Sequence, residues 1–79
     1  MTVPLRPALP VPSAPWVRQV FGARAAQRGG VVRRSARWVE REVGRAIFEA
    51  EVRRRGFHLI ETGGQLIVIC NGGGLRVIC

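Results

Sequence analysis

Residues 35–55 read SARWVEREVGRAIFEAEVRRR, and the phase of their apolar positions decides the architecture. Ala36, Val39, Val43, Ala46 and Ala50 share one face at about 100° per residue, whereas Phe48 and Val52 fall roughly opposite that face. One straight helix would leave Phe48 in water. Glycine is a poor helix former, so a break at Gly44 resolves the conflict: one helix over 35–43 and a second over 45–55, each burying its own apolar side. Ser35 is the cap that starts the first. Gly56 is placed as the left-handed residue ending the second, and Arg53, Arg54 and Arg55 occupy the last turn, where the helix dipole favours positive charge.

Downstream the periodicity changes to that of strands. Phe57 to Glu61 and Gln65 to Cys70 flank Thr62-Gly63-Gly64, which reads as a hairpin with a three-residue loop. Asn71 and three glycines lead to Leu75-Arg76-Val77-Ile78-Cys79, read as a third strand closing a meander, with Cys70 opposite Leu75 and Cys79 opposite Leu66, or alternatively as a frayed tail. The middle strand is apolar on both faces, Leu66 and Val68 on one and Ile67 and Ile69 on the other. It is therefore expected to be covered on both sides, the second cover coming from another subunit.

Upstream, Val31-Val32-Arg33 is a short β-prone piece after Gly29-Gly30. The stretch Trp16 to Gln27 is helical in spacing through Trp16, Val20 and Ala23. All five prolines lie in residues 1–15. Proline removes backbone donors and favours extended geometry, so 1–15 is read as a disordered leader before a single basic domain over 16–79. The resulting class is α+β: two or three short helices followed by an antiparallel hairpin or meander, in the element order of a winged-helix domain.

Charge narrows the partners. Thirteen arginines, no lysine and five acids give +8 in 79 residues, which favours polyanions such as nucleic acid or an anionic membrane surface and says nothing about fold. So short a chain builds only a thin core, which argues against a deep catalytic pocket. Cys70 and Cys79 are too few for a disulfide framework, and a reducing cytoplasm is the simpler setting. The prolines interrupt any signal-peptide core, and no apolar run approaches the roughly 20 residues that span a bilayer. Residues 1–39 hold seven arginines and no acid, a composition shared with organellar transit peptides, although the prolines weaken that reading.

Residues 29–79 also carry a recognisable pattern: GGVVRR at 29–34, VEREVGR at 39–45, Phe48, EVRRRGF at 51–57, then GGQ and VICN up to 71. This resembles a group of short, basic alphaproteobacterial proteins, some labelled by transfer as N-(5'-phosphoribosyl)anthranilate isomerase. The resemblance implies a bacterial, cytoplasmic protein. It does not imply the isomerase, whose (β/α)₈ barrel takes about 200 residues or more.

The residues that could bind are arginines. Arg33, Arg34, Arg37 and Arg41 cluster around the start of the first of the two helices, where positive charge opposes the helix dipole unless an anion compensates. A solvated cationic surface explains the cluster equally well. Arg45, Glu49 and Arg53 follow at i, i+4 and i+8, either an outward face for phosphate or a salt-bridge ladder. That helix has no Asn or Gln, so sequence-specific base reading is not expected. Nucleic acid contact is thus assigned to Arg33, Arg34, Arg37, Arg41, Arg45 and Arg53. A competing reading is a homodimer or protein-interaction module with Trp38, Ile67 and Ile69 at its interface. No enzyme, cofactor or metal is expected: His58 lacks an obvious catalytic partner, and the TGGQ and NGGG loops lack the lysine and helix of a phosphate-binding loop.

Overall fold

The computed structural model describes residues 14–79. They form an α+β fold of helices α1 (Pro15–Phe21), α2 (Arg24–Gln27), α3 (Ala36–Glu42) and α4 (Arg45–Arg54), with strands β1 (Val31–Ser35), β2 (His58–Thr62) and β3 (Gln65–Ile69). The leader read over 1–15 lies outside the described residues except for its end. There, Pro15 opens α1, a position that needs no N–H and suits its fixed φ. The single helix expected over 16–27 is instead two. Ala23 is extended (φ −64°, ψ 151°) next to Gly22, a poor helix former, and the turn lets Ala26 reach the core.

The break at Gly44 is present, with φ 101°, a conformation that L side chains rarely adopt. It rotates α4 relative to α3, so that Val39 and Phe48, both fully buried, face the same core from different helices. Ala46 and Ala50 are left exposed. Ser35 caps α3, its hydroxyl accepting from the Trp38 N–H at 3.0 Å. The aromatic centre is Phe48, with Trp16 at 5.8 Å and Phe21 at 6.5 Å between ring centroids, and Phe57 at 6.1 Å from Phe21. Trp38 is half-buried against this core.

The sheet corrects the meander. Its order is β1-β3-β2, antiparallel throughout, with Val32 opposite Val68 and Leu59 opposite Val68 from the other side. The third strand is therefore the β-prone piece at Val31. Residues 75–79 join no strand, and Cys70 and Cys79 do not oppose Leu75 and Leu66. The hairpin turn is two residues, because Thr62 pairs with Gln65; Gly63 and Gly64 both take positive φ, the demand of a type I′ turn.

Helices cover one face of the sheet, where Val32, Leu66 and Val68 are buried. The other face is open: Val31 is 54% exposed, and Ile60, Ile67 and Ile69 are half-buried. Among the described residues nothing supplies the second cover expected for the middle strand. β3 can be apolar on both sides because its flanking strands shield the edges of Ile67 and Ile69.

Candidate functional site

The five acids all lie between residues 40 and 61, and they sort the arginines. Arg41 donates from Nε to Glu42 Oε2 at 2.9 Å. Arg45 bridges Glu49 one turn along α4 and Glu61 on β2, each at 2.8 Å. These bonds hold the Arg45 guanidinium firmly protonated and push the Glu61 carboxyl below its usual range.

Glu51 is the one buried charge among the described residues, 5% exposed in the core-facing row of α4. Arg54 grips both of its oxygens, Nη2 to Oε2 at 2.6 Å and Nε to Oε1 at 3.1 Å, and Arg55 Nε adds a bond at 2.7 Å. The Arg54 hydrogen bonds outweigh the cost of burial and hold the Glu51 carboxyl below the usual range. Arg55 also lies over the Phe21 ring, 4.2 Å from its centroid. The terminal arginines of α4 therefore do more than complement a dipole. They neutralise a carboxylate that the fold has buried.

The arginines before residue 40 are in the opposite situation. Arg18, Arg24, Arg28, Arg33 and Arg37 are exposed, and none has a carboxylate partner among the described residues. Arg34 donates to backbone carbonyls, to Arg33 O at 2.8 Å and to Gln19 O on α1 at 2.7 Å, so it ties β1 to α1. α2 and α3 both pack against β1, which brings these side chains onto connected elements.

The expected sites divide accordingly. Arg33 and Arg34 lie on a strand rather than a helix, and alternation sends them to opposite faces of the sheet. Arg37 is free on α3, Arg41 and Arg45 are engaged by acids, and Arg53 is exposed on α4 without an acid partner. The cluster at 33–41 is thus dispersed. Arg18, Arg24 and Arg28, outside the expected set, share the exposure of Arg33 and Arg37, and their signal in the sequence is the lack of any acid before residue 40.

A cleft of about 340 Å³ separates α4 from β2. Its floor is Val52, Phe57, Leu59 and Leu66, and its rim carries Arg45, Glu49, Arg53, His58 and Glu61. The cleft does gather the histidine with carboxylates. Both acids are held by Arg45, however, and His58 Nε2 lies 2.6 Å from the Gly73 carbonyl.

Cys70 is buried, which pushes its thiol pKa up, and Cys79 is exposed; both are free. Among the described residues no group of three His, Cys, Asp or Glu side chains could hold a metal ion, and no helix is long and apolar enough to cross a membrane. Comparison with protein-family models, with curated proteins and with solved structures returns no match.

Proposed function

We propose that this chain is a small, non-enzymatic cytoplasmic protein that binds nucleic acid phosphates without strong sequence preference, through the arginines of α1, α2, β1 and the start of α3. The observation that carries the reading is the segregation of charge. Arginines after residue 40 are largely paired with glutamate, whereas Arg18, Arg24, Arg28, Arg33 and Arg37 stand exposed without one. Unpaired guanidinium groups repel one another, and phosphate relieves that repulsion with two-point hydrogen bonds. The α3–Gly44–α4 turn and the strand order β1-β3-β2 support a winged-helix-like arrangement. On the outward face of α4, Ala46, Ile47 and Ala50 offer no donor to a base edge and Arg53 alone does, which favours backbone contact over sequence reading.

Fluorescence anisotropy of labelled duplex DNA and single-stranded RNA, with an acidic polypeptide as competitor, tests the proposal. Micromolar binding that weakens with salt and resists the polypeptide supports it. Absence of binding at low salt contradicts it. A second reading, a homodimer, is favoured by the open sheet face of Val31, Ile60, Ile67 and Ile69.

A further inference from the structure

Among the described residues two complementary elements are left unsatisfied: a sheet edge without a neighbour and a β-prone segment without a sheet. We propose that the edge of β2 and the cleft beneath it form a strand-docking groove, occupied by residues 75–79 of a second copy of the chain.

The edge follows from the register. Thr62 and Gln65 flank a two-residue turn and so form a hydrogen-bonded pair. Alternation then makes Ile60 with Ile67 and His58 with Ile69 the bonded pairs of the β2–β3 ladder. Leu59 and Glu61 consequently aim their N–H and C=O groups away from β3. On the other side of the sheet the bonds Cys70 N to Gly30 O and Ala36 N to Gly64 O leave Val31, Arg33 and Ser35 facing outward on β1. That edge is the poorer dock. The Arg33 carbonyl already accepts from Arg34, and the charged Arg33 side chain guards the strand.

The β2 edge has the additional feature of a helix alongside. A strand added there would lay alternate side chains into the cleft between β2 and α4, over the half-buried Phe57 and Leu59 and inside a rim of Arg45, Glu49, Arg53 and Glu61. The remaining side chains would extend the open face beside Ile60.

The occupant is argued from the tail. Leu75, Val77 and Ile78 are 49%, 79% and 75% exposed, and residues 75–79 make no hydrogen bond to the rest of the described chain. The segment before them is anchored: Asn71 Nδ2 donates to Gly29 O at 3.0 Å, and Gly73 O lies against His58, the first residue of β2. The tail therefore begins beside the β2 edge of its own copy yet is not folded back along it. Its pattern matches the groove, because Leu75 and Val77 share one face for the apolar floor and Ile78 falls on the other, toward Ile60. Mutual exchange of two tails into two grooves closes a two-fold dimer in which the β2 edge of each copy is paired. This proposal is independent of whether the arginines bind phosphate.

The test is the mass of the full chain by analytical ultracentrifugation, with amide hydrogen exchange on the wild type and on Val77→Pro and Val77→Asp. Position 77 is exposed, so neither change disturbs the monomer fold. The expected result is a concentration-dependent dimer for the wild type and a monomer for both variants. In the dimer the amides of Leu59 and Glu61 should exchange about 100-fold more slowly than in the variants, while Ile60, bonded to Ile67, is unchanged. An excess of a synthetic peptide of residues 71–79 should return the wild type to the mass of a monomer. A wild type that stays monomeric at millimolar concentration overturns the proposal. So does a dimer that survives Val77→Pro, or protection that appears at Val31 and Arg33 instead.

Discussion

Apart from Arg34, Arg53 and Arg76, the two halves of the described chain handle the same residue, arginine, in opposite ways. From α4 onward, Arg45, Arg54 and Arg55 are structural. They bridge α4 to β2 through Glu61, and they hold Glu51 in a site from which it would otherwise be expelled. From α1 to the start of α3, Arg18, Arg24, Arg28 and Arg37 make no such bond and leave their charge to the solvent. Net charge alone would treat the groups alike. Their surroundings predict that removing the first set costs stability and removing the second costs ligand.

The largest expected effect lies in the free set. Replacing Arg24, Arg28, Arg33 and Arg37 together by Gln should weaken nucleic-acid binding about 100-fold or more at low salt, since each lost phosphate contact removes roughly 0.9 from the slope of log affinity against log salt. The thermal midpoint should hold or rise, because like charges are being removed.

The paired set should show the reverse. Glu51→Gln, by denaturant titration, should cost about 1–3 kcal/mol, because a buried cluster loses its negative charge and one of its two acceptor oxygens while binding is unchanged. The pH dependence has a defined sign. The Glu51 and Glu61 carboxyls are lowered in the fold by their arginines, so their contribution is fully present above the ordinary carboxylate range. It is lost as pH falls through the depressed folded values. In Glu51→Gln the acid limb of the stability curve should be shallower.

Smaller effects refine the comparison. Ser35→Ala removes the cap of α3 and should cost about 1 kcal/mol by the same titration. Arg45→Gln breaks two bridges whose groups are more than a third exposed, so solvent screening keeps the loss of stability the smallest of the set, with nucleic-acid affinity unchanged. A drop in affinity there as large as that of the free set would erase the distinction between the halves.

Local signals made much of the fold legible. The phase conflict between Val39 and Phe48 located the Gly44 break, and Gly56 and Gly63-Gly64 marked turns that need positive φ. The error lay in pairing. Residues 31–35 and 75–79 are both short, β-prone and next to glycines, and choosing between them as the third strand depends on long-range contacts that periodicity does not contain. The α1–α2 division was hidden for a related reason: Ala23 satisfies helical spacing as well as it satisfies the extended turn it adopts.

Of the candidate site, the residue type is legible and the surroundings of each side chain are not. Composition singles out arginine, and proximity along the chain groups Arg33, Arg34, Arg37 and Arg41. In the fold, strand alternation separates Arg33 from Arg34, and Glu42 takes Arg41. Which arginine is free depends on where the acids land. Glu61 reaching Arg45 across 16 residues is invisible to any helical rule.

The most direct test is the salt dependence of nucleic-acid affinity, measured by anisotropy on the wild type, on the Arg24, Arg28, Arg33 and Arg37 variant, and on a matched variant with Arg41, Arg45, Arg54 and Arg55 replaced by Gln. The slope should fall by about 3–4 in the first variant and stay nearly unchanged, at reduced stability, in the second. Equal losses of slope in the two, or a wild-type affinity that does not respond to salt, would contradict it.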